Sequence, residues 1–204
     1  MQQEIQLFAY GSFTSGMVHF EKLAQYVVES RPATVLGQVY RLSVGYPVVV
    51  RTQGASQVHI PGQLLTIQAP DLVFKILDEF QGFSPLIPEK SLFFKETILA
   101  QTEQGPVEAI IYVMNPSKLP KSAQLIGDGN WLANLQAESP ITQSLTERQA
   151  SYVKRLSQVT GREILPIDME LYRELMKLEL VVDKGRRLAL SKLGQEVARY
   201  LPPA

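Results

Sequence analysis

The chain has 204 residues, 45% hydrophobic, with 20 basic and 20 acidic side chains; this is enough for one medium domain, or one domain with a small appendage, and too apolar for a disordered chain. The balanced charge offers no global field toward nucleic acid or an acidic substrate. The absence of cysteine excludes disulfides, thiolate catalysis and Cys-ligated zinc, and a histidine content limited to His19 and His59 argues against a histidine-rich metal site.

Met1-Gln2-Gln3-Glu4 lacks the basic start and apolar core of a signal peptide. No apolar run reaches membrane-spanning length, so a soluble, cytoplasmic protein with no membrane partner is expected. Ile5 to Ala9 reads as a short buried strand that ends in the turn Tyr10-Gly11-Ser12-Phe13. Gly11 lets the backbone turn where a side chain would obstruct it, and Ser12 offers a hydroxyl beside freed amides. Met17 to Val28 predicts a helix, with Phe20, Leu23, Ala24 and Val27 toward the core and His19 at its boundary or surface. The loop thus joins a strand end to a helix start, where N–H groups can receive an anion or a carbonyl oxygen. Arg31-Pro32 is expected to end that helix. Ala33 to Leu42 reads as a strand interrupted by Gly37, followed by the turn Gly45-Tyr46-Pro47 and the apolar run Val48 to Val50. A polar loop, Thr52 to Gln57, contains Gly54. His59 to Ile67 is a further strand, with Pro61-Gly62 marking a bulge or an edge.

Pro70-Asp71 opens a helix with Asp71 as its cap, and Val73, Ile76, Leu77 and Phe80 form one buried stripe. Gly82 stops it as a left-handed residue would. A proline-rich loop, Ser84 to Glu89, leads to two strands, Leu92 to Gln101 and Val107 to Met114, joined by the hairpin signature Thr102 to Gly105. Strands dominating over two inserted helices predict an α+β fold, a small mixed β-barrel with flanking helices, and not a parallel βαβ sheet. Asn115 to Ser144 reads as a long irregular connection; its Trp131 anchors the loop on the core or, alternatively, lids a pocket. Thr146 to Gln149 is a capping box opening a helix with Tyr152, Val153, Leu156 and Val159 buried, ended by Gly161. Asp168 starts another helix, with Leu171, Leu175 and Leu178 on one face. Leu180 to Leu190 reads as a hairpin turning at Lys184-Gly185, and Lys192 to Leu201 as a last short helix.

This order divides the chain into a first domain, 1–144, with its core at 5–114, and a helical extension, 145–204, assembled as helix, helix, two-stranded wing and helix. From Thr146 onward there are 11 basic and 8 acidic residues. That excess is mild, and the second helix carries Glu170, Glu174 and Glu179 beside Arg173 and Lys177. A helix reading DNA meets a dense phosphate field. The winged-helix-like extension is therefore expected to serve packing, self-association or a protein partner, with nucleic acid unlikely. Arg186 and Arg187 at the hairpin tip are the residues a DNA-binding alternative would use.

Phe8-Ala9-Tyr10-Gly11-Ser12, Gly45-Tyr46-Pro47, Leu77-Asp78-Glu79-Phe80-Gln81-Gly82-Phe83 and Phe93-Phe94-Lys95 occur in the order and spacing of one family. Over about residues 5 to 114 the chain resembles the gamma-glutamylcyclotransferase-like superfamily, including its AIG2-like branch. The resemblance implies a small mixed barrel and conversion of gamma-glutamyl amines or peptides to 5-oxoproline, with neither metal nor organic cofactor. In that reaction the substrate's alpha-amine attacks its own gamma-carbonyl, so a base must take an amine proton and donors must steady an oxyanion. The resemblance assigns the donors around the glutamyl group to Tyr10, Gly11, Ser12 and Phe13, with Gly82 and Lys95 also at the ligand.

The same resemblance assigns the general base to a glutamate directly before the glycine that ends the second helix, and here that position is Gln81. Glutamine is nearly isosteric but takes no proton at neutral pH. Asp78 lies one turn earlier on the same face and Glu89 on the following loop; these are the two carboxylates that could replace it, whereas Glu79 points elsewhere. The family's tyrosine and arginine at the start of the next strand are Phe94 and Lys95 here, which removes a hydroxyl and the guanidinium fork. The expectation is a small-molecule binder for a gamma-glutamyl-like or other carboxylate ligand with cyclotransfer weak or lost. The alternatives are an active enzyme with a relocated base, and a regulatory or interaction protein acting through 145–204.

Overall fold

The computed structural model describes residues 4–51, 57–160, 163–185 and 187–202. The expected loop around Gly54, the helix stop at Gly161 and the arginine at 186 lie outside them. The chain divides into two compact units, 1–138 and 139–204.

In the first unit the strands are β1 (Ile5–Ala9), β2 (Val27–Arg41), β3 (Pro47–Val50), β4 (Val58–Ile67), β5 (Phe93–Thr102), β6 (Gly105–Met114) and β7 (Gln124–Ile126). Its helices are α1 (Glu21–Ala24), α2 (Pro70–Gln81) and α3 (Trp131–Ala137). Among the described residues the seven strands form one sheet in the order β3-β2-β4-β1-β6-β5, with β7 added to β2. β1 runs antiparallel to β4 and parallel to β6, so the sheet is mixed. A single bridge, Thr34 to Gln101, links β2 to β5. Phe8, Val35, Val39, Ile60, Leu64, Ile111 and Trp131 fill the core beneath these strands. The fold is a mixed α+β arrangement of a large twisted sheet with helices.

Three expectations are corrected here. The helix expected over Met17 to Val28 shrinks to the four residues of α1, and β2 then runs 15 residues without a break at Pro32 or Gly37. Pairing to β4 from Val27 to Gly37 overrides the helical spacing, and the β-branched Val27, Val28, Thr34 and Val35 suit an extended chain. Pro61-Gly62 is neither the bulge nor the edge expected: the β2–β4 register runs evenly through Ala33 to Gly62 and Thr34 to Pro61, shifting only between Val27 and Glu29, and β4 lies between β2 and β1. The helix α2 starts after Ala69, a left-handed residue with φ 52° and no side-chain cap; Asp71 lies in the first turn without capping it. The irregular connection 115–144 holds β7, α3 and α4 (Ile141–Ser144). α3 is started by Asn130, whose side chain accepts from the Ala133 N–H.

The second unit holds α4, α5 (Glu147–Gln158), α6 (Met169–Lys177), the hairpin of β8 (Val181–Asp183) with β9 (Leu188–Leu190), and α7 (Lys192–Tyr200). Thr146 and Gln149 form both halves of the capping box. Asp168 caps α6 by accepting from the N–H groups of Glu170 and Leu171. Leu156, Leu171, Leu175, Leu180 and Val197 supply the buried side.

Gly62 of β4 lies tight against β1: an added Cβ would lie 2.5 Å from the Ala9 carbonyl oxygen and 2.5 Å from Phe8 Cζ. Neither backbone nor a core ring yields cheaply, and overpacking of this kind costs about 1–3 kcal/mol. Gly62→Ala is expected to lower the stability of the chain by that amount in urea unfolding, while Gly105→Ala, where nothing stands within 4 Å but φ is +115°, should lose stability only through backbone strain.

Candidate functional site

The site forms where the end of β1 meets the end of α2. Tyr10 is extended, and Gly11–Phe13 makes one 3-10 turn. Gly11 has φ +60°, and a Cβ there would touch Pro47 Cγ at 3.0 Å, so the turn needs glycine on both counts. The turn is tied down from several sides. Thr14 Oγ1 donates to the Gly11 carbonyl at 2.8 Å, and the His19 N–H donates to the Ser12 carbonyl at 2.9 Å. The Tyr10 hydroxyl donates to the Tyr112 carbonyl at 2.9 Å and accepts from the Val49 N–H at 3.2 Å, joining β1 to β6 and β3.

α2 buries Val73, Leu77 and Gln81. Gly82 ends it at φ +60°, and the Phe83 N–H closes the turn on the Asp78 carbonyl at 2.9 Å. His19, expected at a boundary, is 1% exposed. Its ring packs 4.4 Å from Phe80 and 5.5 Å from Phe13, and Phe13 meets Phe80 edge-on at 5.0 Å. This aromatic group fixes the helix end against the loop.

Tyr10, Phe13, Leu77, Gln81 and Tyr112 line one small cavity together with Phe8. Its volume is about 20 Å³, room for about one water molecule. Gln81 is 9% exposed and lines this cavity with rings and aliphatic groups, with no carboxylate among the described lining residues. Gly11 and Ser12 are buried in the adjoining turn, and Gly82 caps the helix behind Gln81.

Asp78 and Lys95 meet each other. Lys95 Nζ donates to both Asp78 oxygens, at 3.1 and 2.9 Å, and sits 4.8 Å from the Phe74 ring centre and 5.0 Å from that of Phe83. The Tyr112 hydroxyl donates to Asp78 Oδ1 as well. Burial first, then the hydrogen bond to Asp78 and that carboxylate's charge, hold the Tyr112 phenol protonated well above its ordinary range. Asp78 therefore accepts three hydrogen bonds from two neighbours. Glu89 lies exposed in the turn Pro88–Lys90, outside the cavity lining; its carbonyl accepts from Asn115 Nδ2 at 3.3 Å. Phe94 packs against the core.

Tyr112 is the site residue that the sequence reading missed. The signal was present: a two-residue turn at Glu103-Gln104 sets Tyr112 directly across from Lys95. Among the described residues no group of three or more His, Cys, Asp or Glu side chains could hold a metal ion, and no helix is long and apolar enough to cross a membrane.

The family described as Gamma-glutamyl cyclotransferase, AIG2-like, matches residues 7–133. No curated protein sequence matches the chain significantly. Among solved structures, YkqA of Bacillus subtilis is similar at 19% identity with a TM-score of 0.50, over 92% of this chain and 81% of its own. An AIG2-like protein of Mus musculus is 11% identical with a TM-score of 0.44, over 58% of this chain and 81% of its own. An Arabidopsis thaliana protein known from a solution structure is 16% identical with a TM-score of 0.46, over 82% of this chain and 98% of its own. At such identities the likeness bears on the fold alone.

Two outcomes follow for the Asp78 cluster. Asp78→Ala leaves the Lys95 ammonium and the Tyr112 hydroxyl without their acceptor and should cost about 1–3 kcal/mol in urea unfolding. The unfolded phenol ionises near 10, whereas folded Tyr112 keeps its proton above that. The contribution of this shift is thus complete below about pH 10 and is lost as pH rises beyond it. Urea midpoints measured at pH 9 and 11 should fall more in the wild-type chain than in Tyr112→Phe.

Proposed function

Because the chain belongs to the Gamma-glutamyl cyclotransferase, AIG2-like family, we propose that it binds a small gamma-glutamyl-like or other carboxylate ligand at the Tyr10–Phe13 turn and carries out little or no cyclotransfer. The observation that carries this reading is Gln81, which lines the same cavity as Tyr10, Phe13 and Tyr112 where the family's chemistry needs a proton acceptor. A glutamine amide holds a ligand by hydrogen bonds and cannot take the amine proton. Loss of a general base lowers a rate by about 10²–10⁴-fold.

The reading also has to account for the size of the cavity. Small-molecule sites usually offer about 300–1,000 Å³, so a glutamyl group enters only after the side chains around Gln81 move apart. Phe13 is the lining ring at the turn, and moving it aside would break its edge-on contact with Phe80 at the helix end.

The relocated-base alternative has weaker support. Asp78 is engaged by Lys95 and Tyr112, and Glu89 belongs to an exposed turn. An active enzyme using either would lose turnover in Asp78→Asn or Glu89→Ala and keep it in Gln81→Ala.

For the whole chain, the bridge from Thr34 to Gln101 supports reading the sheet as a small mixed barrel. The succession α5, α6, β8–β9, α7 supports a winged-helix-like extension over 145–204 attached to a domain over 1–144. Arg148 pairs with Asp168 and Glu170 of the α6 start, which favours packing, self-association or a protein partner over nucleic acid. A chain without cysteine suits the cytoplasm.

The test is release of 5-oxoproline from a gamma-glutamyl amine by the wild-type chain and by Gln81→Glu. The expected result is a gain of about 10²-fold or more in the glutamate variant. Turnover by the wild-type chain at enzyme-like rates overturns the proposal.

A further inference from the structure

In the second unit α6 is committed on three of its four sides. Leu171 and Leu175 are buried on its inner face. On one flank the Glu174 carboxylate accepts from Gln149 Nε2 of α5 at 3.0 Å, and on the other the Tyr172 hydroxyl donates to Asp183 of β8 at 3.5 Å. At about 100° per residue the fourth side carries Met169, Glu170, Arg173, Met176 and Lys177, all exposed. Met169 is 61% and Met176 37% exposed. Among the described residues neither the Arg173 nor the Lys177 side chain has a hydrogen-bond or ion-pair partner. The Glu170 carboxylate has one, Arg148 at 3.4 Å, and its side chain is 76% exposed.

The outer face matches itself end for end. Met169 and Met176 lie on one side of its midline and Glu170 and Lys177 on the other, with the acid in the first turn, the base in the last and Arg173 midway. A two-fold axis at Arg173 sets a second α6 antiparallel to the first, Met169 against Met176 and Glu170 against Lys177, each contact occurring twice. Such a face is complementary to a second copy in apolar groups and in charge. It is not complementary to DNA, because two thioethers and a carboxylate would meet the phosphates. We infer that α6 is the contact through which two copies of this chain associate, antiparallel and two-fold. The two Arg173 guanidinium groups meet near the axis, each within a turn of the Glu170 carboxylate of the second copy. A helix of nine residues is about 14 Å long, so this contact is small beside the ~1,200–2,000 Å² of stable interfaces and the dimer is weak. The inference specifies the self-association proposed for 145–204 and is independent of the ligand proposed for the Gln81 cavity.

The test is sedimentation equilibrium of the full chain from about 10 μM to about 1 mM, the range over which a weak dimer dissociates. The apparent mass should rise with concentration from that of one chain toward that of two. Lys177→Glu and Glu170→Lys each set like charges together at both ion pairs and should weaken the dimer about tenfold. The double variant Glu170→Lys/Lys177→Glu exchanges the two signs and should restore wild-type association, which a merely structural effect of either substitution would not do. Met176→Lys should abolish association. All three positions are exposed, and a far-ultraviolet circular dichroism spectrum like that of the wild type establishes that each variant is folded. A wild-type chain that stays monomeric throughout the range, single reversals without effect, or a double variant no stronger than the single ones overturns the inference. None of these outcomes bears on release of 5-oxoproline.

Discussion

The Asp78 carboxylate accepts from Lys95 and Tyr112, and in doing so ties the last turn of α2 to β5 and β6. Everything at the site depends on where that turn lies. Asp78 is held on one side and Phe80 packs against Phe13 and His19 on the other, and Gln81 then lines the cavity it shares with Tyr10. The aromatic faces of Phe74 and Phe83 flank the Lys95 ammonium, which further fixes the cluster. A carboxylate that accepts from an ammonium and a phenol is poorly placed to accept a substrate proton as well, which supports the proposed reading over a relocated base.

The turn beneath Gln81 is equally constrained. The Tyr10 hydroxyl spends both of its main roles on backbone groups of β3 and β6, and Gly11 cannot acquire a side chain without meeting Pro47. Such a turn is well preorganised and adapts little. The cavity beside it has a volume of about 20 Å³, so on the proposed reading a ligand enters only at the free-energy cost of parting its lining side chains. Binding is then weaker than the fit of the open site alone would allow.

Legibility in the sequence follows how local the deciding interaction is. The capping box at Thr146 and Gln149, the cap at Asp168 and the left-handed stop at Gly82 are all decided within a few residues, and each could be read directly. The segment Val27 to Arg41 could be read only in part: its second half reads as a strand from Ala33 onward, whereas Val27 closes a helical stripe and Pro32 suggests a stop, yet β4 pairs with the first half and the long-range ladder prevails. The caps at Ala69 and Asn130 were hidden for different reasons: one is a left-handed alanine with no side-chain bond, the other sits in a connection too rich in glycine and proline to show periodicity. At the site, position 81 was legible because a helix end announces itself. The hairpin register sets Tyr112 across from Lys95, but its bond to Asp78 and the burial of His19 against Phe80 join residues far apart in sequence and carry no local signal.

The proposed function rests on a Tyr10–Phe13 turn that holds a ligand beside Gln81, an amide at the position where the family resemblance expects a base. The most direct test of that account places a gamma-glutamyl amine in large excess over the protein and follows the mixture by proton NMR. The account predicts saturation transfer from protein to ligand, with 5-oxoproline formed at least about 10²-fold more slowly than by Gln81→Glu. Conversion of the ligand to 5-oxoproline within minutes would contradict it.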